Sequence, residues 1–219
     1  MLAAPERPLR AVLLDMDGVL VFSEDAWFAV YNETLEHFGH GAISRVAFET
    51  IYGNGTEADR DAYMPERTVA EIDAAYARFF ETRLDRIRPN PDAATALAEL
   101  RRMGVKTSVA TNTNRPLAGR ILEVQGLLPL LDAVSGADEA GAGKPDPAVV
   151  RLAAARAGAP LDDCLFVGDS RYDEEAARRA PVRFVGFRYG DGPRLEALTA
   201  LPGLARAGGG TRTRGPAGP

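Results

Sequence analysis

Leu13-Leu14-Asp15-Met16-Asp17-Gly18-Val19-Leu20 decides how this chain is read. The apolar run from Ala11 to Leu14 predicts a buried strand. It ends in two aspartates one residue apart, followed at once by a glycine. Side chains alternate faces along a strand, so Asp15 and Asp17 point the same way while the extended geometry lasts. They then meet at the strand's C-terminal end, where open α/β sheets place their ligands. Two carboxylates this close repel, and left alone one of them takes up a proton. A divalent cation relieves the clash, as does a division into nucleophile and acid/base.

Outward from this stretch the pattern turns helical. Glu24 to Phe38 predicts an amphipathic helix that stops at Gly39. From Pro65 to Arg86, Val69, Ile72, Tyr76, Phe79, Phe80 and Leu84 recur at helical spacing. Between them lies the turn-rich Ile51-Tyr52-Gly53-Asn54-Gly55-Thr56. With no strand expected between Phe22 and Arg88, this region is an all-helical insertion. Asn90 as N-cap and Pro91 at the first helical position then open a new helix. Helices expected over residues 91–103, 115–125, 146–157 and 171–180 alternate with strands over 105–110, 131–135, 164–167 and 182–187. Such alternation implies right-handed crossovers and a parallel sheet covered on both faces. The fold class is therefore α/β, with a doubly wound, Rossmann-like parallel sheet. Residues 1–21 and 89–204 form its core, 22–88 the insertion, and 205–219 a disordered tail rich in glycine and proline.

At 219 residues and 46% hydrophobic, the chain can bury one good core and a small second one. The net charge of −5 is spread without a basic block, so neither nucleic acid nor an anionic membrane surface is an expected partner. The apolar runs are too short to span a bilayer, and residues 1–10 lack a signal-peptide core. The single cysteine, Cys164, sits in an apolar run and reads as a buried, inert thiol. A cytoplasmic location, as monomer or homodimer, is the expectation. Of 26 basic residues only Lys106 and Lys144 are lysines, so a lysine here carries more weight than usual.

Three further strand ends carry polar residues. Thr111-Asn112-Thr113 offers a hydroxyl and free amides before a helix start, which is an anion site. Its plainer role is to cap that helix through Thr113 or Asn114. Lys144 lies in Gly141-Ala142-Gly143-Lys144-Pro145-Asp146-Pro147, a positive point held in a stiff loop. The third is Gly168-Asp169-Ser170, with Asp173 at the start of the next helix. Hard oxygen ligands from several strand ends suit Mg²⁺. The plainer roles are an N-cap for Asp169 or Ser170 and a first-turn acid for Asp173.

The four motifs, in this order, resemble the haloacid dehalogenase-like hydrolase superfamily, over Ala11 to about Phe187. The insertion is similar to that superfamily's cap domain, and the whole is closest to its phosphoglycolate phosphatase and β-phosphoglucomutase-like branch. The resemblance implies a phosphatase acting on a small phosphorylated metabolite such as phosphoglycolate, a sugar phosphate or a mononucleotide. It makes Asp15 the nucleophile that becomes an aspartyl-phosphate, and Asp17 the acid/base. It assigns Mg²⁺ to Asp15, the backbone carbonyl of Asp17, and Asp169, with Asp173 supporting these ligands from behind. Gly18, Thr111, Asn112 and Lys144 would bind the phosphate, and Lys144 would also orient Asp15.

A phosphomutase is the alternative. That branch places a histidine after the first motif, where this chain has Trp27, and its two histidines, His37 and His40, read as surface residues. A dehalogenase would lack Asp17, and a phosphonoacetaldehyde hydrolase needs a lysine that 22–88 does not contain. A non-catalytic binding module is opposed by four intact motifs. Phe22 departs from the acidic residue many relatives carry. Among Trp27, Tyr31, Arg45, Tyr52, Asn54 and Thr56 as residues able to face substrate, Trp27 and Tyr31 read as packing, and Gly53-Asn54-Gly55 is the preferred specificity element.

Overall fold

The computed structural model describes residues 9–207. β1 (Ala11–Leu14) leads through β2 (Val21–Phe22) into the insertion: α1 (Glu24–His37), α2 (Arg45–Ile51), α3 (Thr56–Tyr63) and α4 (Val69–Glu81). β3 (Arg88–Pro89) returns the chain to the core. Then follow α5 (Ala93–Arg102), β4 (Lys106–Thr111), α6 (Arg115–Val124), β5 (Ala133–Gly136), α7 (Ala137–Ala140) and α8 (Ala148–Arg156). The described residues end with β6 (Cys164–Gly168), α9 (Arg171–Arg179), β7 (Arg183–Phe187), β8 (Arg194–Leu195) and α10 (Leu201–Ala207).

The six-stranded sheet has the order β5-β4-β1-β6-β7-β8, and every pairing in it is parallel. β1 lies between β4 and β6, with Leu14 in register with Val109 and Val167. The C-terminal ends of the three strands that carry the motifs therefore share one edge. All four β1 residues are fully buried. Val12 and Leu14 pack toward α5 and α6, while Ala11 and Leu13 pack toward α8 and α9. Two buried faces explain why the strand is apolar at every position rather than at alternate ones. Each fully buried leucine or valine there stabilises the fold by about 1.5–3 kcal/mol. Among the described residues, no helix is long and apolar enough to cross a membrane.

The structure adds detail that the sequence pattern does not carry. Phe22 and Arg88 are not loop residues: Val21 pairs with Pro89, and Phe22 with Arg88, in a two-stranded antiparallel ribbon. The turn-rich stretch 51–56 joins two helices, α2 and α3, that the long-period pattern missed. Asn90 does not cap α5, which begins at Ala93 with Asp92 at the cap position. Instead its Oδ1 accepts from the Asp92 amide at 3.1 Å and its Nδ2 donates to the Val19 carbonyl at 2.9 Å. The Asn90 amide donates to Leu20 O, also at 2.9 Å. Asn90 thus ties the loop after Asp17 to the far side of the insertion. Asn90→Ala removes a buried pair of bonds and should lower stability by about 1–2 kcal/mol, read as a smaller urea midpoint at unchanged slope.

The tail expected from Ala205 is helical over its first described residues, because Leu201 and Ala205 are buried in the main core and α10 packs on α5. Residues 208–219 lie outside the described residues.

Candidate active site

The strand ends deliver the motif residues to one cavity of about 180 Å³. Asp15, Asp17, Thr111, Asn112, Lys144 and Asp169 line it from the core, and Gly53 and Asn54 line it from the insertion. Gly18 and Asp173 stand behind that lining. Arg45 does not reach it: its guanidinium is bound by Glu24, Asp25 and Glu49 on the surface. His37 and His40 do not line it either; His40 pairs with Glu66 at 2.8 Å.

Asp15 leaves β1 still tied to the sheet, its amide donating to Val167 O at 2.9 Å. Its Oδ1 accepts from the Met16 amide at 2.7 Å and from Lys144 Nζ at 2.6 Å. Both donors go to Oδ1, so Oδ2 has no protein donor among the described residues. Lys144 Nζ also donates to Asp173 Oδ1 at 2.7 Å. The ammonium is 3% exposed, and Asp173 not at all. Burial works to lower the Lys144 ammonium, but Asp15 and Asp173 outweigh it and hold it above its ordinary value. The scarce lysine is thus spent inside the protein, between two carboxylates.

Asp173 has a second task. Ser170 is the N-cap of α9, and its amide and hydroxyl donate to Asp173 Oδ2 at 3.1 and 2.5 Å, completing a capping box. The capping roles considered for Ser170 and Asp173 are therefore real, and for Asp173 they coexist with the Lys144 pair. Asn114 caps α6 in the same way, accepting from the Leu117 amide at 3.0 Å. Thr111 Oγ1 accepts from the Thr113 amide at 3.1 Å, which folds the strand end into a turn.

Asp17 is wrapped by neutral donors. Ser23 Oγ and Trp27 Nε1 (the latter at 3.0 Å) donate to its Oδ1, and Thr113 Oγ1 to its Oδ2 at 3.1 Å. Burial raises its carboxyl above the usual range, and the three donors hold back part of that rise. The role of Trp27 is wider than packing. Its ring meets Phe80 and Tyr76 edge-on, while its N–H marks Asp17. Sequence reasoning missed Ser23 and this indole N–H, and read Thr113 only as part of the strand-end motif or as a helix cap, not as a donor to Asp17. A mixed apolar and polar side chain gives no periodic signal for its polar tip.

The carboxylates outnumber the cation. Oxygens of Asp15, Asp169 and Asp173 lie within 4.8 Å of one another. Burial and the charge of Asp173 push Asp15 well up and Asp169 up to about 7, against the pull of Lys144. Gly18 makes the crowding possible: its φ is +83°, and a Cβ there would stand 1.8 Å from Asp169 Oδ2. A surplus of hard, buried oxygens around one ammonium fits a divalent cation. Asn112 joins the parts. Its Oδ1 accepts from the Lys144 amide at 2.6 Å, and its Nδ2 donates to Lys144 O at 2.9 Å and to Gly53 O at 2.8 Å.

The haloacid dehalogenase-like hydrolase family model matches residues 9–181. The chain belongs to this family. It is 30% identical over 194 residues to a phosphoglycolate phosphatase of Neisseria meningitidis, covering 84% of this chain and 83% of that protein. A phosphoglycolate phosphatase of Pseudomonas putida is also 30% identical over 194 residues, covering 83% of this chain and 70% of that one. Among solved structures, CbbY from Rhodobacter sphaeroides in complex with phosphate superposes with a TM-score of 0.77 at 22% identity, covering 88% of this chain and 96% of that chain. A Geobacter sulfurreducens family hydrolase gives 0.71 at 25% identity, covering 90% and 99%. The strand ends that carry Asp15, Asp17, Thr111 and Asp169, and the loop that carries Lys144, all lie within the residues the family model matches.

Proposed function

We propose that this chain is a phosphatase that hydrolyses a small phosphate monoester through an aspartyl-phosphate formed on Asp15. The observation that carries this is the Asp15 carboxylate, fixed through Oδ1 by Lys144 and Met16, with Oδ2 left to attack. In the first step Oδ2 bonds to phosphorus and the bond to the ester oxygen breaks. Asp17, its carboxyl raised by burial, gives its proton to that oxygen. In the second step Asp17 takes a proton from water. The water oxygen bonds to phosphorus, the Asp15–phosphorus bond breaks, and inorganic phosphate and free Asp15 result. Lys144, with the Thr111 hydroxyl and the amides near Gly18 and Asn112, holds the non-bridging oxygens.

Asp15, Asp169 and the carbonyl of Asp17 would hold Mg²⁺, with Asp173, whose oxygens accept from Lys144 and Ser170, supporting them from behind. The cation supplies neutralising charge between carboxylate and phosphate. Residues 22–88 serve as the cap that shuts water out, hinged at the β2–β3 ribbon. No histidine is among the described lining residues, which favours the phosphatase over the mutase.

The test is phosphate release from a panel of small esters, before and after chelation. Release should fall to background with chelator and return with Mg²⁺; release indifferent to both would overturn the reading. A second result should accompany it. A carboxyl raised in the folded protein contributes stability below its unfolded value of 3.8 and loses it as pH rises through the folded value, about 7 for Asp169. Metal-free protein should therefore melt lower at pH 8 than at pH 5. Mg²⁺ should raise Tm more at pH 8 than at pH 5.

A further inference from the structure

The part of the cavity lined by the insertion has a chemistry that phosphate binding leaves unexplained. Asp59 on α3 and Asp73 on α4 both line it. Tyr76 Oη donates to Asp59 Oδ2 at 2.9 Å, and Thr56 Oγ1 donates to Asp73 Oδ1 at 2.6 Å. Each carboxylate thus meets a neutral donor there. No arginine, lysine or histidine of the insertion is among the described lining residues. Lys144, the one cationic side chain in the described lining, is held by Asp15 and Asp173.

A separate observation comes from Tyr31, which lines the same space. It is 2% exposed, and its hydroxyl is buried with no hydrogen-bond partner among the described residues. A phenol left unpaired in a wall is costly unless something that enters the cavity completes it. The rings of Trp27, Tyr31 and Tyr76 pack edge-on or tilted around it. Rings of this kind attract a cation that reaches their faces. Enclosure pushes the Asp59 carboxyl up to about 7, the sign of a buried acid lacking a counter-charge.

We infer that the leaving group of the substrate carries a protonated amine, seated between Asp59, Asp73 and the Tyr31 hydroxyl. The substrate class is then the phosphate ester of an amino alcohol or amino sugar. This rests on the phosphatase reading and narrows it. The ammonium would donate to the carboxylates of Asp59 and Asp73, and the Tyr31 phenol, sealed behind the wall, would be its third partner once a ligand shifts that wall. A carboxylated leaving group, as in phosphoglycolate, would instead meet two like charges.

Two matched series test it. In the first, 2-aminoethyl phosphate, 2-hydroxyethyl phosphate and 2-phosphoglycolate place an ammonium, a hydroxyl and a carboxylate at the end of a two-carbon unit. In the second, glucosamine 6-phosphate and glucose 6-phosphate differ in the amine or hydroxyl at C2, and 6-phosphogluconate adds a carboxylate at C1 of the opened chain. In at least one series kcat/KM should favour the amine by about tenfold over the neutral ester and about a hundredfold over the acid. Asp59→Asn keeps an acceptor for Tyr76 and should erase about tenfold of that advantage, read as the ratio of kcat/KM for the amine to kcat/KM for the neutral ester in the same variant. Asp73→Asn gives a second reading of the same kind, and thermal melts check that both variants fold. A neutral or acidic ester that matches the amine in both series overturns the inference and leaves the phosphatase standing. Turnover of no ester at all, p-nitrophenyl phosphate included, overturns the phosphatase. Calorimetric binding of the same six esters to Asp15→Asn then decides the amine: tightest binding by the amines upholds it, and any other order overturns it.

Discussion

Asp15→Asn should abolish phosphate release, by at least about 10⁴-fold in kcat, and should do so without unfolding the protein. An amide keeps the shape and still accepts from the Met16 amide and Lys144, but its oxygen is a poor nucleophile toward phosphorus. The stability side of the result is what sets it apart from simple damage. In the metal-free protein Asp15 is a buried acid crowded by Asp173 and Asp169, and its carboxyl is raised well above the usual range. Replacing it with a neutral isostere removes that repulsion while Asp173 still pairs with Lys144. The melting temperature of the metal-free variant should therefore hold or rise, since active sites store such strain at the expense of stability. Asp15→Glu is the companion. It keeps the charge, displaces it by one methylene, and should lose at least about 10²-fold, because misplacement on the scale of 1 Å has that effect. Full activity in Asp15→Asn would remove Asp15 from the mechanism.

Lys144→Met should be the most destabilising of the substitutions considered, by about 3–5 kcal/mol at neutral pH. Methionine follows the lysine side chain as far as Cε and lacks the ammonium, so the loss is chiefly electrostatic. Asp15 and Asp173 would be left facing each other across the vacated ammonium position, in a place that is 3% exposed. A double variant separates the effects. Lys144→Met with Asp173→Asn should regain a large share of the stability, because one stranded charge is gone, and should regain no activity. Lys144→Arg would not substitute, since the planar guanidinium cannot take the place of a point charge between two fixed carboxylates. Urea titration with phosphate release on the same samples reads both arms. Equal loss of stability in the single and double variants would mean that the Asp15–Lys144–Asp173 triad is not the source.

Much of this was legible from residue order because the information lay in local runs. β1 and β6 are apolar at every position and end in Asp15 and Asp169, so both the parallel sheet and its working edge follow from short stretches. The scarcity of lysine marked Lys144 before any contact was visible. What escaped was carried by long-range contacts or by short elements. α2 and α3 span 7 and 8 residues, too few turns for an apolar stripe to stand out. Asn90 has the look of an N-cap, but its amide group is claimed by Val19, 71 residues earlier. Asp59 and Asp73 look like solvent-facing acids on amphipathic helices, and only the closing of the insertion over the sheet edge turns them inward. The indole N–H of Trp27 is the same kind of case: the ring predicts burial, and nothing near it in the chain predicts Asp17.

Asn112 has one planar amide and only two hydrogens to give, and both are in use: one on the Lys144 carbonyl, the other on the Gly53 carbonyl. In the language of logic the residue is an AND gate. One input is the loop that delivers the counter-ion of Asp15, and the other is the tip of the insertion. If Gly53 withdraws, the amide loses a partner on the same nitrogen that braces the Lys144 loop. The tip of the insertion and the loop that carries Lys144 are thus braced by a single side chain. On the proposed mechanism, a withdrawal of Gly53 would be felt at the Asp15 carboxylate through one side-chain amide and one loop.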